Sequence, residues 1–132
     1  MNSDLESLID VYHRARQAES CFAKGELSRR KFASLVKGEM IFVYEQQELI
    51  SGFISIYPSA RFIHHLYILP EYQNRGIGTK LIDHCVNIFG LPLSLKSLAA
   101  NERACLYYES NNWINEDIGH GVDGIYHHYW LR

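Results

Sequence analysis

The segment HLYILPEYQNRGIGTKLI has the composition of an anion-binding site. An apolar stretch leads through a proline and a short polar loop into two glycines, and a helical pattern follows. The first turn of a helix has unbonded N–H groups and the positive end of the helix dipole. Gly76 and Gly78 have no side chain that would keep a phosphate away from those groups. Arg75 adds a positive charge, and Gln73 and Asn74 add neutral donors.

Two common phosphate-binding motifs do not fit this segment. A P-loop requires G-x-x-x-x-G-K-[ST], and the residues from Gly76 to Lys80 do not have that spacing. A dinucleotide-binding loop needs a third glycine where Leu81 stands, and it must follow its strand directly. Taken alone, two glycines at a helix start favour a plain helix cap. The residues around the two glycines are therefore needed to distinguish a ligand-binding turn from a plain helix cap.

The hydrophobic pattern along the chain predicts the order α-α-β-β-β-α-β-α-β-β, a mixed sheet with helices packed on it. Strand 61–69 is apolar on both faces, which indicates a central position in the sheet. Alternation along this strand predicts that His64 faces the same side as Phe62, whereas His65 faces the other side. After two N-terminal helices, the predicted elements are strands at 40–44, 49–57 and 61–69, a helix at 76–89, a strand at 91–98, a helix at 102–111 and two closing strands around 113 and 125–131.

Composition excludes several classes of protein. The 132 residues fit one domain spanning 1–132, and the net charge of −2 argues against nucleic acid binding through a broad basic surface. No stretch approaches the roughly 20 apolar residues of a membrane span, and no secretion signal is apparent, so we expect a cytoplasmic protein away from the membrane. The cysteines Cys21, Cys85 and Cys105 lack metal-type spacing, which indicates reduced thiols. Adjacent His127 and His128 would face opposite sides of a strand, so no metal site is expected.

The glycine pattern resembles that of a known family when its surroundings are included. The spacing Gln73-x-x-Gly76-x-Gly78, after a strand that ends in ILP, is similar to the acetyl-CoA signature of the GNAT superfamily of N-acetyltransferases. A second block, NERACLYYESNNW, resembles the later motif of that family, in which Asn, Ala and Tyr precede a Gly-aromatic pair. The two blocks stand in the expected order, and with the helix and strand layout the resemblance covers nearly the whole chain.

The later block matches at Asn101, Ala104, Tyr108 and Trp113, and it has Asn112 where the family usually has glycine. Asparagine is the next best residue for a left-handed helix end, so we expect the motif to tolerate this difference.

The resemblance implies an α/β (α+β) fold. Its sheet would be mixed and mostly antiparallel with six to seven strands, helices on both faces and a central strand pair that splays apart. The family usually opens with a strand, whereas here a helix begins near residue 4, so that strand is expected to be missing or short. Acetyl-CoA, the implied co-substrate, would lie between the strands that end at Leu69 and near Leu98.

The resemblance also assigns contacts to acetyl-CoA. Backbone groups of Ile68 and Leu69 would pair with the pantetheine arm, amides from Arg75 to Thr79 would hold the pyrophosphate, and Asn101 would touch the pantetheine from the other side. The complete implied set is Ile68, Leu69, Gln73, Asn74, Arg75, Gly76, Ile77, Gly78, Thr79, Asn101 and Ala104.

The implied reaction is direct transfer of the acetyl group to a primary amine of a small molecule or peptide. An amine with a pKa of about 10.4 must lose a proton before it attacks, so a base or a water chain is needed. The carbonyl oxygen gains negative charge and needs a fixed donor, for which the backbone at Leu69 is the family's candidate. Tyr108 matches the tyrosine that usually gives a proton to the departing thiolate, whereas Tyr107 is expected to face elsewhere.

His64 is the candidate general base. Where the family often has an acidic residue, this chain has His64, as do the arylalkylamine acetyltransferases, a branch of the family. Its ordinary pKa of about 6.5 suits a base near neutral pH. The alternative interpretation is a buried histidine bonded to the backbone, and His65 is expected to be structural.

Two other functions remain open at this point. One is a non-catalytic module that binds acetyl-CoA and regulates a protein partner. The other is a nucleotide-binding or purely structural α/β domain, which the missing third glycine and missing Gly-Lys-Ser/Thr make less favoured. A homodimer formed through terminal strands is also possible, as in many relatives.

Overall fold

The computed structural model describes residues 2–19 and 28–132, and its elements follow the predicted order. Short 3-10 turns follow the second and third strands. Cys21 lies outside the described residues, whereas Cys85 and Cys105 are buried and form no disulfide. The helices are α1 (Asn2–Gln17), α2 (Arg29–Leu35), α3 (Ile77–Phe89) and α4 (Glu102–Ser110), and the strands are β1 (Met40–Gln46), β2 (Leu49–Tyr57), β3 (Phe62–Ile68), β4 (Leu93–Leu98), β5 (Ile114–Gly121) and β6 (Gly124–Leu131).

The strands form one mixed sheet in the order β1-β2-β3-β4-β6-β5. Every neighbouring pair is antiparallel except β3 and β4, which are parallel and joined through α3. A parallel pair needs such a crossover, because the chain must return to the starting edge of the sheet. The prediction of a mostly antiparallel sheet with β3 at its centre is therefore confirmed.

The parallel pair is bonded only at its beginning. Phe62 pairs with Ser94 and Ile63 pairs with Leu95, and no later residue of β3 pairs with β4. β3 stays paired with β2 as far as Ile68, and β4 stays paired with β6 along its whole length. The two central strands therefore separate toward their carboxyl ends, as the predicted splayed pair requires.

Helices cover both faces of the sheet, which confirms the layered fold. On one face, α1 and α2 enclose a core of Leu8, Val11, Phe32, Ile50, Phe53 and Leu69. On the other face, α3 and α4 pack over a larger core that ends in the aromatic residues Tyr108, Trp113 and Tyr129. Among the residues that the structure describes, no helix is both long and apolar enough to cross a membrane.

A β-bulge breaks the regular alternation of β3. Ser55 of β2 pairs with His65 and the next residue, Ile56, pairs with Ile63, so His64 is an extra residue without a partner on β2. The imidazole rings of His64 and His65 lie 3.9 Å apart between centroids, which two neighbours on opposite faces cannot reach. The prediction that these two histidines face opposite sides is wrong, because strand alternation holds only where the register is continuous.

Phe32 joins α2 to the sheet, and its removal should destabilise the whole α1–α2 layer. The side chain is fully buried and meets the rings of Tyr12 and Phe53 edge to face. Phe32→Ala should lower the free energy of unfolding by about 3–5 kcal/mol, measured by urea denaturation.

Leu35→Ala on the same helix is the matched control, since Leu35 is 37% exposed. It should cost less than about 1 kcal/mol. Equal losses for the two variants would contradict the assignment of Phe32 as the anchor of α2.

Candidate active site

The first turn of α3 begins at a glycine in a left-handed conformation. Gly76 has φ 81° and ψ 8°, and no side chain of the described residues caps the helix there. The first intrahelical bond runs from the Lys80 N–H to the Gly76 carbonyl at 3.0 Å. The amides of Ile77, Gly78 and Thr79 precede that bond, so the helix itself gives them no acceptor. The open first turn that an anion site would need is therefore present, and the binding of an anion there stays a prediction.

The two glycines keep the space in front of these amides open. A Cβ at Gly76 would meet nothing within 4 Å, and one at Gly78 would meet only the Leu66 Cδ2 atom at 4.0 Å. Gly52 shows the opposite case, because a Cβ there would lie 2.5 Å from the Ile68 side chain. Gly52 permits close packing between strands, whereas Gly76 and Gly78 leave a surface that a ligand can approach.

The loop before α3 is fixed to the end of β3. The side-chain amide of Gln73 donates to the Ile68 carbonyl at 3.2 Å, so it shapes the loop in addition to any contact with a ligand. Asn74 adopts a left-handed φ of 64°. The Arg75 guanidinium lies 5.0 Å from the centre of the Tyr72 ring, a cation–π position that keeps the charge beside the loop.

Helix α4 forms the opposite wall of the site. The Asn101 side chain caps this helix by accepting from the Ala104 N–H at 3.3 Å. Asn112 has φ 72° just beyond the helix, which confirms that asparagine takes the left-handed position where the later motif usually has glycine. Tyr108 is buried against Trp113, and burial raises the pKa of its phenol, so the hydroxyl is protonated at neutral pH.

Tyr107 lies in the site, contrary to the prediction that it faces elsewhere. Its hydroxyl shares a hydrogen bond of 2.5 Å with the Thr79 hydroxyl and so connects α4 to the first turn of α3. Both residues line the same cavity as Tyr108. Helical spacing alone could not detect this, because consecutive residues of a helix differ by only about 100° in direction and both can border a wide cavity.

A cavity of about 470 Å³ opens between the end of β3, the first turn of α3 and α4. Three of the predicted site residues, Leu69, Arg75 and His64, do not line it. Sequence reasoning missed Leu66, Tyr67, Tyr72 and Tyr107, which do. The predicted residues that line the cavity are Ile68, Gln73, Asn74, Gly76, Ile77, Gly78, Thr79, Asn101, Ala104 and Tyr108.

The expectation that the Leu69 backbone supplies an open donor is wrong. Its N–H donates to the Ser51 carbonyl at 2.8 Å, and its side chain is buried in the core under α1. Backbone groups in an antiparallel ladder alternate between the two edges of a strand. Since the N–H of Leu69 points toward β2, the N–H of the preceding residue, Ile68, points toward β4, from which β3 has separated at this point.

His64 and His65 meet a carboxylate away from the cavity lining. The His64 Nδ1 atom lies 2.6 Å from the Glu39 Oε2 atom, and the His65 Nδ1 atom lies 2.9 Å from the Ser55 hydroxyl. Burial lowers the pKa of His65 to about 3, assisted by the nearby His64 and Arg16, so this imidazole is neutral. His65 is therefore a buried, bonded histidine, and the assignment of His64 as a base stays a prediction.

Sequence comparison identifies the family. The profile of the Acetyltransferase (GNAT) domain matches residues 37–115, which include both the glycine turn and α4. The chain belongs to the GNAT acetyltransferase family. The prediction from the two motifs is thereby confirmed. No protein of curated function matches the sequence of this GNAT chain.

Solved GNAT structures share its fold at low sequence identity. A GCN5-related N-acetyltransferase from Rhodopseudomonas palustris superposes with a TM-score of 0.81 at 17% identity, covering 98% of this chain and 90% of that one. PaiA N-acetyltransferase from Thermoplasma acidophilum, solved with coenzyme A, gives 0.77 at 20% identity over 96% and 92%. The ribosomal-protein-S18-alanine N-acetyltransferase from Escherichia coli gives 0.76 at 21% identity over 99% and 88%.

The hydrogen bond between Thr79 and Tyr107 should couple the two walls of this GNAT site. Thr79→Val and Tyr107→Phe each remove one partner, and each should lower the free energy of unfolding by about 1 kcal/mol in urea denaturation. The double variant should lose little more than either single variant, because both changes remove the same bond.

Thr79→Ser is the control, since it keeps the hydroxyl and should keep the coupling. Losses that simply add in the double variant would mean that the two hydroxyls do not interact in solution.

Proposed function

We propose that this protein transfers the acetyl group of acetyl-CoA to a primary amine of a small molecule or peptide. One observation carries the proposal: β3 and β4 separate after two residue pairs and leave a cavity beside the uncapped first turn of α3. A helix terminus with open amides suits a diphosphate, and a strand edge with an inward N–H suits an extended amide-containing arm. Acetyl-CoA combines these two groups.

The first turn of α3 is proposed to hold the pyrophosphate. The amides of Ile77, Gly78 and Thr79 supply the donors, and the absent side chain at Gly78 lets the phosphate oxygens approach. The pantetheine arm then extends along the inner edge of β3, where it meets the N–H of Ile68. Asn101 and Ala104 border the arm from α4.

The proposed reaction is direct attack by the neutral amine on the thioester carbonyl. A C–N bond forms and the carbonyl oxygen becomes negative, a charge that the N–H of Ile68 can stabilise. When the C–S bond breaks, Tyr108 directs its phenolic proton to the sulfur, and the proton released by the amine returns to Tyr108 through water. The raised pKa of Tyr108 keeps the phenol protonated before each turnover.

An amine acceptor agrees with what the structural neighbours are called. One is named for acetylating the alanine of a ribosomal protein, and another is the PaiA N-acetyltransferase. Both share the fold at or below 21% identity, so the proposal extends to amines as a class and names no particular acceptor.

Acetyl-CoA binding can be tested with a variant that leaves the helix intact. Acetyl-CoA at 100 times its Kd should raise the melting temperature by roughly 5–15 °C. Gly78→Glu should remove most of this shift, because a carboxylate repels the pyrophosphate. The unliganded variant should be as stable as the parent, since a negative charge in the first turn favours the helix dipole.

Asn87→Glu places the same charge on an exposed position of α3, about two and a half turns further along, and should keep the full shift. An unshifted melting temperature in the parent protein would overturn the proposal. A shift without CoA release over a broad panel of amines would favour the non-catalytic module instead.

If Tyr108 is the general acid, its replacement should slow turnover without weakening the binding of acetyl-CoA. Tyr108→Phe should lower kcat by roughly 100-fold, the usual contribution of a general acid, while the thermal shift with acetyl-CoA is kept. The rate is measured as the formation of the free CoA thiol from acetyl-CoA.

Tyr126→Phe serves as the control, because Tyr126 lies on β6 outside the cavity and its ring, which contacts Lys96, is retained. Turnover of Tyr108→Phe equal to that of this control would remove Tyr108 from the mechanism.

A further inference from the structure

The bulge in β3 brings together three side chains that the proposed acetyl transfer does not use. They are Glu39, His64 and His65, and one potential ligand atom from each lies within 4.8 Å of the other two. The group forms where the turn after α2 meets β3. Two imidazole nitrogens and a carboxylate are a common ligand set for zinc.

The Glu39 carboxylate is buried with half of its bonding capacity unused. Its side chain is only 5% exposed, and one oxygen bonds to the His64 Nδ1 atom at 2.6 Å. The other oxygen, Oε1, is buried and has no hydrogen-bond partner among the described residues. A buried carboxylate oxygen without a hydrogen-bond partner is unfavourable, so Oε1 is available as a ligand for a cation.

The unpaired oxygen faces the second histidine. Glu39 Oε1 lies 3.9 Å from the His65 Nδ1 atom, too far for a hydrogen bond and near the separation of two atoms on one metal. Zinc bonds of about 2.0–2.1 Å in a tetrahedron require ligand atoms roughly 3.3 Å apart. The Glu39 Oε2 atom is closer than this to His64, at 2.6 Å, and the Oε1 atom is farther than this from His65, at 3.9 Å. Small rotations of the side chains are therefore enough to bring ligand atoms of all three residues around one ion.

From this geometry we infer that Glu39, His64 and His65 form a binding site for a divalent transition metal, with zinc as the best-fitting ion. His64 and His65 bind through Nδ1 as neutral imidazoles. When the His65 Nδ1 atom binds the metal, it gives up its contact with the buried Ser55 hydroxyl. Because His64 is 39% exposed, water can occupy the fourth position.

The metal would join parts of the fold that are distant in sequence. Glu39 follows α2, and His65 directly precedes Leu66, which lines the cavity. A zinc ion at this position would fix the bulged backbone just before the strand reaches the proposed acetyl-CoA site. The inference is independent of acetyl transfer, because metal binding can be measured without any substrate.

Zinc uptake by the untagged full chain tests the site. The protein is stripped with a chelator, dialysed and titrated with zinc chloride in competition with a chromophoric chelator. The parent protein should bind one zinc ion per chain, and Glu39→Gln should weaken the affinity at least ~100-fold, since it removes a charged ligand without changing its shape. His64→Ala, at a partly exposed position, should show the same loss and is expected to fold normally.

His120→Ala is the matched control, because His120 is exposed on β5 outside the cluster, and it should bind zinc as the parent does. Two results would overturn the inference. One is the lack of stoichiometric uptake by the folded parent, which would leave an ion pair only between His64 and Glu39. The other is unchanged affinity in both Glu39→Gln and His64→Ala.

Discussion

The separation of β3 from β4 is the constraint on which the rest of the site depends. Strands in a sheet normally satisfy their backbone groups through each other, so a pair that parts after two residues must satisfy them elsewhere. On the edge that faces β4, Gln73 donates to the carbonyl of Ile68, and on the opposite edge the N–H of Leu69 stays bonded to Ser51 of β2. The end of β3 is therefore held by β2 and by its own following loop, and its inner edge can remain apart from β4.

Helix α3 can leave its first turn uncapped because packing holds it in place. Ile77, Leu81, Ile82 and Cys85 are buried in the main core, and burial of such side chains contributes more than the roughly 1 kcal/mol of a typical capping residue. The contrast with α4 is informative. That helix is shorter and buries fewer side chains, and it has an Asn101 cap. The N-terminus of α4 is thus capped by a side chain, whereas the N-terminus of α3 is open.

The order of elements and the open first turn of α3 could be predicted because each depends on local sequence. Helical periodicity and the two glycines determine α3, and apolar runs determine the strands. The bulge could not be predicted, because it arises from the pairing register between β2 and β3, and the sequence of β3 alone does not determine that register. That one shift explains why His64 and His65 share a side. Tyr107 was misplaced for a related reason, because its partner Thr79 lies on another helix.

The bulge also gives the two ends of β3 different surroundings. Beyond His65 the strand returns to regular pairing, which places Ile68 opposite Gly52, where only a glycine allows such close approach. Before that point the extra residue turns both imidazoles toward Glu39. A continuous strand would have directed one histidine into each face and left the buried carboxylate with a single partner. The irregularity therefore brings two imidazoles to Glu39, whereas the regular end of the same strand lines the cavity with Leu66, Tyr67 and Ile68.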